Sequence, residues 1–213
     1  RYQGVQFGYT SAGRYTSWND IWNYYGFKER DVLPGDYKYE DWNGDGEING
    51  QDEHPFAFDQ TPWLQFSLNA GLQWKNFDFN MLLQGSALGS MEYKEPLHEI
   101  WGKNGGGALT QFLDRWHPVD PKADPYDPST VWTSGHYAYT GRWAKNNSAF
   151  NRVSTAYLRL KSIELGYTFP KLKQIPNASL RVYANAYNLL TFTGVKFVDP
   201  EHPDDDLGRM YPL

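Results

Sequence analysis

The chain has no cysteine among its 213 residues. That excludes a disulfide framework and thiol chemistry, and leaves the compartment open. It also has no run of about 18 apolar residues, so nothing in it reads as a membrane-spanning helix. Alternating β-strands escape such a scan and stay possible. The opening Arg1-Tyr-Gln-Gly-Val lacks the basic and apolar regions of a secretory leader. Basic excess is missing too. With 20 Lys and Arg against 25 Asp and Glu, the net charge is −5, which does not suggest a nucleic-acid surface. Catalytic signatures are also lacking. There is no G-x-S-x-G and no H-E-x-x-H. His54, His98, His117, His136 and His202 are scattered without metal spacing, and His117 after Trp116 suits capping or packing. The stretch GKNGGG at 102–107 follows no strand pattern and precedes no GK[ST], so it does not read as a phosphate cradle. No catalysis is expected.

What is present is aromatic and periodic. Phe, Trp and Tyr make up 17% of the chain. Such content suits a β-rich core, interfacial girdles, or platforms for stacking on sugars. Leu64, Phe66, Leu68, Ala70, Leu72 and Trp74 alternate with Gln65, Ser67, Asn69, Gly71 and Gln73. A period of two predicts a strand with one apolar and one polar face. Lys75-Asn76 turns the chain, and Phe77, Phe79, Met81 and Leu83 alternate in a second arm. Arms of about 10 residues exceed the usual 5–6 and match membrane-barrel strands. Trp63, Trp74 and Phe77 fall at strand ends, where membrane interfaces favour aromatic rings.

A second hairpin is expected over 163–187. Ile163, Leu165, Tyr167 and Phe169 form one arm, and Leu180, Val182, Ala184 and Ala186 the other, joined by Pro170–Asn177. Leu158 and Leu160 stand in the opposite phase to Ile163, which predicts a bulge or strand start near Lys161-Ser162. Three long segments flank or separate these hairpins (64–84 and 163–187): 1–62, 85–156 and 188–213. Short turns alternating with long loops are the asymmetry of an outer-membrane barrel. Within the long segments, Val5, Phe7 and Tyr9 suggest a short strand. Ser17 suggests a cap on a helix over Trp18–Tyr25. Leu109, Phe112, Leu113 and Trp116 suggest a short amphipathic helix over Ala108–Trp116. Asp-Pro at 120, 124 and 127 predicts stiff loop, and Asp204–Asp206 a solvated acidic face. Four long strands cannot close a barrel, and the chain stops at Tyr211-Pro-Leu213 with no further strand, so a fragment is expected.

The stretch DWNGDGEINGQD over 41–52 has the pattern of a calcium loop. Ca²⁺ takes about 6–8 oxygens at about 2.3–2.6 Å. Candidate metal ligands are the side chains of Asp41, Asn43 and Asp45, the backbone carbonyl of Glu47, and Asp52. Gly46 permits the sharp turn and Ile48 anchors the loop; aspartate at the last position reaches less far than glutamate. Pro34-Gly35 before it and Pro55 and Pro62 after it exclude paired EF-hand helices, and no second loop makes it a dockerin. The expected role is a structural Ca²⁺ staple. A turn held by Asx-type hydrogen bonds without metal is the alternative.

Four stretches together resemble the C-terminal part of a SusC/RagA-type TonB-dependent outer-membrane transporter. They are PGDYKYEDWNGDGEINGQD (34–52), LQFSLNAGLQWKNFDFNMLLQGS (64–86), TAYLRLKSIELGYTFP (155–170) and SLRVYANAYNLLTFTGVKFVDPE (179–201). The resemblance covers nearly the whole chain and places all of 1–213 in the barrel domain. It implies an all-β fragment of a large antiparallel transmembrane β-barrel of about 22 strands with a plugged lumen. The plug and N-terminal parts would lie outside this chain. It also implies import of oligosaccharides or peptides across the bacterial outer membrane, driven through TonB, with a SusD-like surface lipoprotein as partner and lipid around the wall. Trp101, Trp132, Tyr137, Tyr139 and Trp143 in the long segments could stack on a ligand, and none is singled out as a site. The competing readings are a soluble, calcium-stapled carbohydrate-binding β-sandwich and a secreted hydrolase fragment.

Overall fold

The computed structural model describes residues 4–24, 32–93, 97, 109–141, 144, 147–170, 179–196 and 198–201. Outside them lie the glycine-rich stretch 102–107, His98, His202, Trp101, Trp143, the acidic run 204–206, the terminal 211–213, Tyr25 and most of the 170–177 connection. In chain order the elements are β1 (Val5–Gly8), β2 (Ser11–Arg14), α1 (Trp18–Asn23), β3 (Tyr37–Tyr39), β4 (His54–Phe58), β5 (Leu64–Trp74) and β6 (Phe77–Ala87). There follow β7 (Ser90–Glu92), β8 (His117–Pro118), β9 (Trp132–Thr133), β10 (Arg152–Ser154), β11 (Tyr157–Thr168) and β12 (Arg181–Thr193). The fold is all-β, and no described helix is long and apolar enough to cross a membrane.

Two compact units emerge. The first comprises Arg1–Asp59, Met91–Val153 and Asp204–Met210. Within it β1 pairs with β4, β2 with β3, and β8 with β9, all antiparallel. The Ser17 hydroxyl accepts from Asp20 N–H and caps α1, as its sequence position predicts. The helix is shorter than expected, because the backbone is already extended at Tyr24. Ile21 on α1 is buried with Tyr15 and Val32, and Trp18 and Tyr24 pack around them. The helix expected over Ala108–Trp116 is corrected to a single 3-10 turn, Thr110–Leu113. Its four apolar residues do not share a face: Phe112 and Trp116 are buried, whereas Leu109 and Leu113 are exposed. Trp116 instead packs on Gly35, whose φ of 92° lies in the left-handed region.

The second unit comprises Gln60–Ser90, Ser154–Pro203 and Tyr211–Leu213. Its centre is one antiparallel sheet in the order β12-β11-β6-β5. Lys75, with φ 54°, lets the two residues Lys75-Asn76 close the β5–β6 hairpin, and Trp74 pairs with Phe77 beside it. Apolar residues of all four strands share one face, whereas Leu82, opposite Asn69 and Ser162, lies on the other. Leu68 faces Leu83, Leu72 faces Phe79, Leu165 faces Phe79, and Val182 faces Tyr167. The register shifts between Leu160 and Ser162, where the opposed phases predicted a bulge or a strand start; the strand already begins at Tyr157, so this is a bulge. There β11 holds one residue more than β6: Leu160 pairs with Leu83, and Ser162 with the adjacent Leu82. The extra residue rotates Leu158 and Leu160 onto the face that carries Ile163 and Leu165. One slip of register thus keeps one face apolar along the whole strand.

Candidate functional site

The calcium-type loop is closed by its own hydrogen bonds. Asp41 accepts from Gly44 and Gly46 N–H, at 2.8 Å each. Asn43 Oδ1 accepts from Asp45 N–H at 2.9 Å, and Asp45 Oδ1 from Glu47 N–H at 2.8 Å. These are Asx turns, and they need the positive φ of Gly46, 83°. Asp52 is fully buried and closes the ring. Its Oδ1 accepts from Trp42 N–H at 2.9 Å, and its Oδ2 from Asn49 N–H at 2.8 Å. Burial pushes the Asp52 carboxyl up, but the N–H groups of Asn49, Asn43 and Trp42 outweigh it and hold its pKa below the ordinary value.

The flanks are strands β3 and β4, with one 3-10 turn over Gly50–Asp52, so no EF-hand helices frame the loop. Its candidate metal ligands are all oxygens, the chemistry a hard cation takes, but Asp52 Oδ1 already accepts from both Trp42 and Asn43 N–H. Among the described residues, no three carboxylate or imidazole side chains already converge into a metal cage. Trp42, the second residue of the loop, has its ring stacked on His54, centroids 3.7 Å apart and planes at 12°. The Asp52 carbonyl lies 3.0 Å from His54 Nδ1 and fixes that ring.

Of the aromatic residues picked out in the long segments, three lie within the described residues, and each packs within its own loops. Tyr137 meets Phe112 at 4.4 Å, and Trp132 meets Tyr139 edge-on at 5.3 Å. Burial, with lesser contributions from Tyr37, Tyr93 and Asp114, pushes the Tyr137 phenol up to about 12.

The sheet is the larger feature. Leu64, Phe66, Leu68, Leu72, Trp74, Phe77, Leu165, Val182, Leu190 and Phe192 are all exposed on its apolar face. The opposite face carries Gln65, Ser67, Asn69, Gln84, Asn80 and Asp78, and two ionic clusters. At the Lys75-Asn76 end, Arg181 bonds both Asp78 and Glu164. At the other end, beyond β12, the chain folds back so that Asp199 and Glu201 meet Arg159. The Asp199 contact is 2.8 Å and the Glu201 contact 2.5 Å. Lys161 Nζ also reaches Glu201, at 3.1 Å, and the Tyr157 hydroxyl donates to Glu201 at 2.9 Å. Arg159 is 3% exposed, with both carboxylates as partners.

Reading by alternation missed both clusters. Arg159, Lys161 and Arg181 were legible only as polar-phase residues, and their partners lie 17 to 103 positions away.

No family model matches the chain. Among curated proteins, TonB-dependent receptor P3 of Formosa agariphila is 29% identical over 175 residues, covering 80% of this chain and 16% of the receptor. TonB-dependent receptor P26 of the same organism is 28% identical over 180 residues, covering 83% and 17%. The fold is that of a chain in the RagAB peptide transporter structure. That match has a TM-score of 0.57 and 19% identity over 92% of this chain and 20% of the other. The closed-closed state of the RagAB peptide importer matches with a TM-score of 0.55 and 18% identity, over 93% and 20%. The resemblance to SusC/RagA-type TonB-dependent receptors holds. This receptor-like chain spans about a sixth of the length of the curated relatives it matches. The names of those relatives are those of receptors, and the RagAB titles those of a transporter or importer.

Proposed function

We propose that the chain forms part of the wall and extracellular loops of a TonB-dependent importer in the bacterial outer membrane. The observation that carries this is the exposed apolar face of the sheet. Burying one Leu, Phe or Val side chain stabilises by about 1.5–3 kcal/mol. The ten exposed residues named above are roughly half-exposed. Even at half that value per residue, they represent roughly 10 kcal/mol, comparable to the whole stability of a domain. A face of that kind needs an apolar covering, and strands of 11 to 13 residues are long enough to span a bilayer's hydrocarbon core. Lipid meets the apolar side, and the amide-rich side faces the lumen.

On this reading the cargo is an oligosaccharide or a peptide, and a SusD-like surface lipoprotein lids the long-loop side. TonB acts through plug and N-terminal parts outside this chain. The RagAB titles, of a peptide transporter or importer, support the transport class. The loop over 41–52 holds Ca²⁺ as a structural staple through Asp41, Asn43, Asp45, the Glu47 carbonyl and Asp52. Its oxygen-only donor set and its left-handed Gly46 support this.

A soluble sandwich would bury the apolar face against a second sheet, and the observed exposure runs against it. Fractionation tests the reading: the chain, expressed within its receptor, should sediment with outer membranes and require detergent to stay dispersed. A water-soluble monomer of residues 1–213 that is stable without detergent would overturn it.

A further inference from the structure

The end of the sheet where β5 turns into β6 is marked by a row of rings. Trp74 stacks with Phe77 at 6.5 Å, Phe77 meets Tyr167 at 4.7 Å, and Tyr167 meets Phe169 at 4.9 Å. Such rings favour the level where hydrocarbon gives way to headgroups. The Lys75-Asn76 turn lies just beyond them. The connection from β11 to β12 leaves at the same end, because Thr168 N–H donates to the Asn76 carbonyl at 2.8 Å.

Two observations at this end point to a ligand. The first is a groove of about 270 Å³ on the apolar face, lined by Leu72, Trp74, Phe77, Phe79 and Leu165. Asp78 borders it as well, but its carboxylate belongs to the opposite face, where Arg181 holds it. The walls are therefore carbon, the surface a hydrocarbon chain covers. Leu72 and Trp74 are exposed, so no other described part of the chain fills the groove.

The second observation is charge. Lys75 Nζ stands 4.9 Å from the Trp74 ring centroid, beside the groove. Among the described residues it has no carboxylate partner. The nearby acids, Asp78 and Glu164, are both bonded by Arg181 on the other face. In sequence the two connections at this end, 75–76 and 169–180, hold three lysines and no Asp or Glu. An uncompensated ammonium at headgroup level attracts a phosphate. A zwitterionic headgroup brings its own cation and gains less from it, so the charge favours an anionic lipid.

We propose that the groove and Lys75 form a site for one anionic phospholipid, with an acyl chain in the groove and the phosphate on the Lys75 ammonium. The inference rests on the importer reading, in which short turns lie on the periplasmic side. It goes beyond that reading because a wall that lipid merely surrounds has no preference among headgroups.

The test uses the intact receptor that carries this chain, labelled with fluorotryptophan and purified in neutral detergent. The Trp74 fluorine resonance is assigned by its loss in Trp74→Phe, and heat-modifiable migration on gels confirms that each variant is folded. Dioleoylphosphatidylglycerol added to the micelles should shift this resonance at about fivefold lower mole fraction than dioleoylphosphatidylcholine, the scale of one lysine at an anionic surface. Lys75→Asn, which suits the left-handed backbone there (φ 54°), should abolish the difference, and Lys75→Arg should keep it. Glycerol phosphate, a headgroup without chains, should leave the resonance in place. Equal behaviour of the two lipids in the wild type overturns the site, as does a preference that survives Lys75→Asn. A shift produced by glycerol phosphate alone overturns the role of the groove and the proposal with it. Fractionation separates the two levels. If the receptor sediments with outer membranes while the two lipids behave alike, the importer reading stands and the lipid site falls. If residues 1–213 form a soluble monomer without detergent, both fall.

Discussion

Arg181 on β12 bonds Asp78 on β6 across an intervening strand, its Nε 3.2 Å from Asp78 Oδ1. The side chain passes over Gly166 of β11, which pairs with Asp78 on one side and Tyr183 on the other. A Cβ built on Gly166 would stand 2.5 Å from the Arg181 guanidinium and 2.6 Å from the Asp78 carboxylate. Glu164 on the same strand completes the bridge. The glycine is there for the space it leaves, and one guanidinium links three strands.

Gly166→Ala should therefore displace the Arg181 arm. Forcing a methyl into a filled site costs on the order of 1–3 kcal/mol. The expected outcome is a lower temperature of heat modification for the receptor. An unchanged transition would show that the triad does not constrain the wall.

Deleting Lys161 removes the extra residue of β11. The strand would then carry Leu158 and Leu160 to the polar face and Arg159 to the apolar one, because a slip of one residue inverts every side chain. Loss of the folded, heat-modifiable species is expected. Lys161→Ala keeps the residue count and should retain it.

Arg159→Met should loosen the segment after β12. Removing one partner from a buried ion pair costs up to about 3–5 kcal/mol, and here Glu201 keeps its contact with Lys161. Here Asp199 and Glu201 would be left close together, each with its side chain mostly covered. Limited proteolysis should cut near residues 195–201 faster in the variant than in the wild type.

Calcium can be tested directly. Titration of the receptor with Ca²⁺ should show a site that disappears in Asp41→Ala and in Asp45→Ala. A titration identical in wild type and both variants would leave the loop as an Asx-bonded turn.

The loop also carries an acid response. The Asp52 pKa is depressed in the fold, whereas an unfolded aspartate titrates near 3.9. Its contribution to stability is present above that value and is lost as pH falls through the lower folded pKa. Exchange of the Trp42, Asn43 and Asn49 amides, which donate to Asp52, should accelerate below about pH 4 once corrected for intrinsic rate. Asp52→Asn should show this acceleration already at neutral pH.

Particular residues show how far local pattern reaches. The alternation through Leu64–Trp74 and the opposed phase of Leu158 and Ile163 were enough to place two-faced strands and a bulge or strand start. Side chains two apart share a face whatever the rest of the chain does. Spacing failed at Leu109–Trp116, where four apolar residues mimic a helix stripe. There Trp116 packs on Gly35, and that contact with a residue 81 positions away prevails over the local propensity.

By itself, then, the sequence determined the period of the strands, the faces they present and the chemistry of the 41–52 loop. All of these depend on residues within about a dozen positions of one another. Only the tertiary structure decided that Asp199 and Glu201 return to Arg159, that Gly166 clears a path for Arg181, and that the Tyr167 ring meets Phe77. Those contacts join residues far apart in the chain, and no local spacing encodes which charged or aromatic side chains a folded backbone brings together.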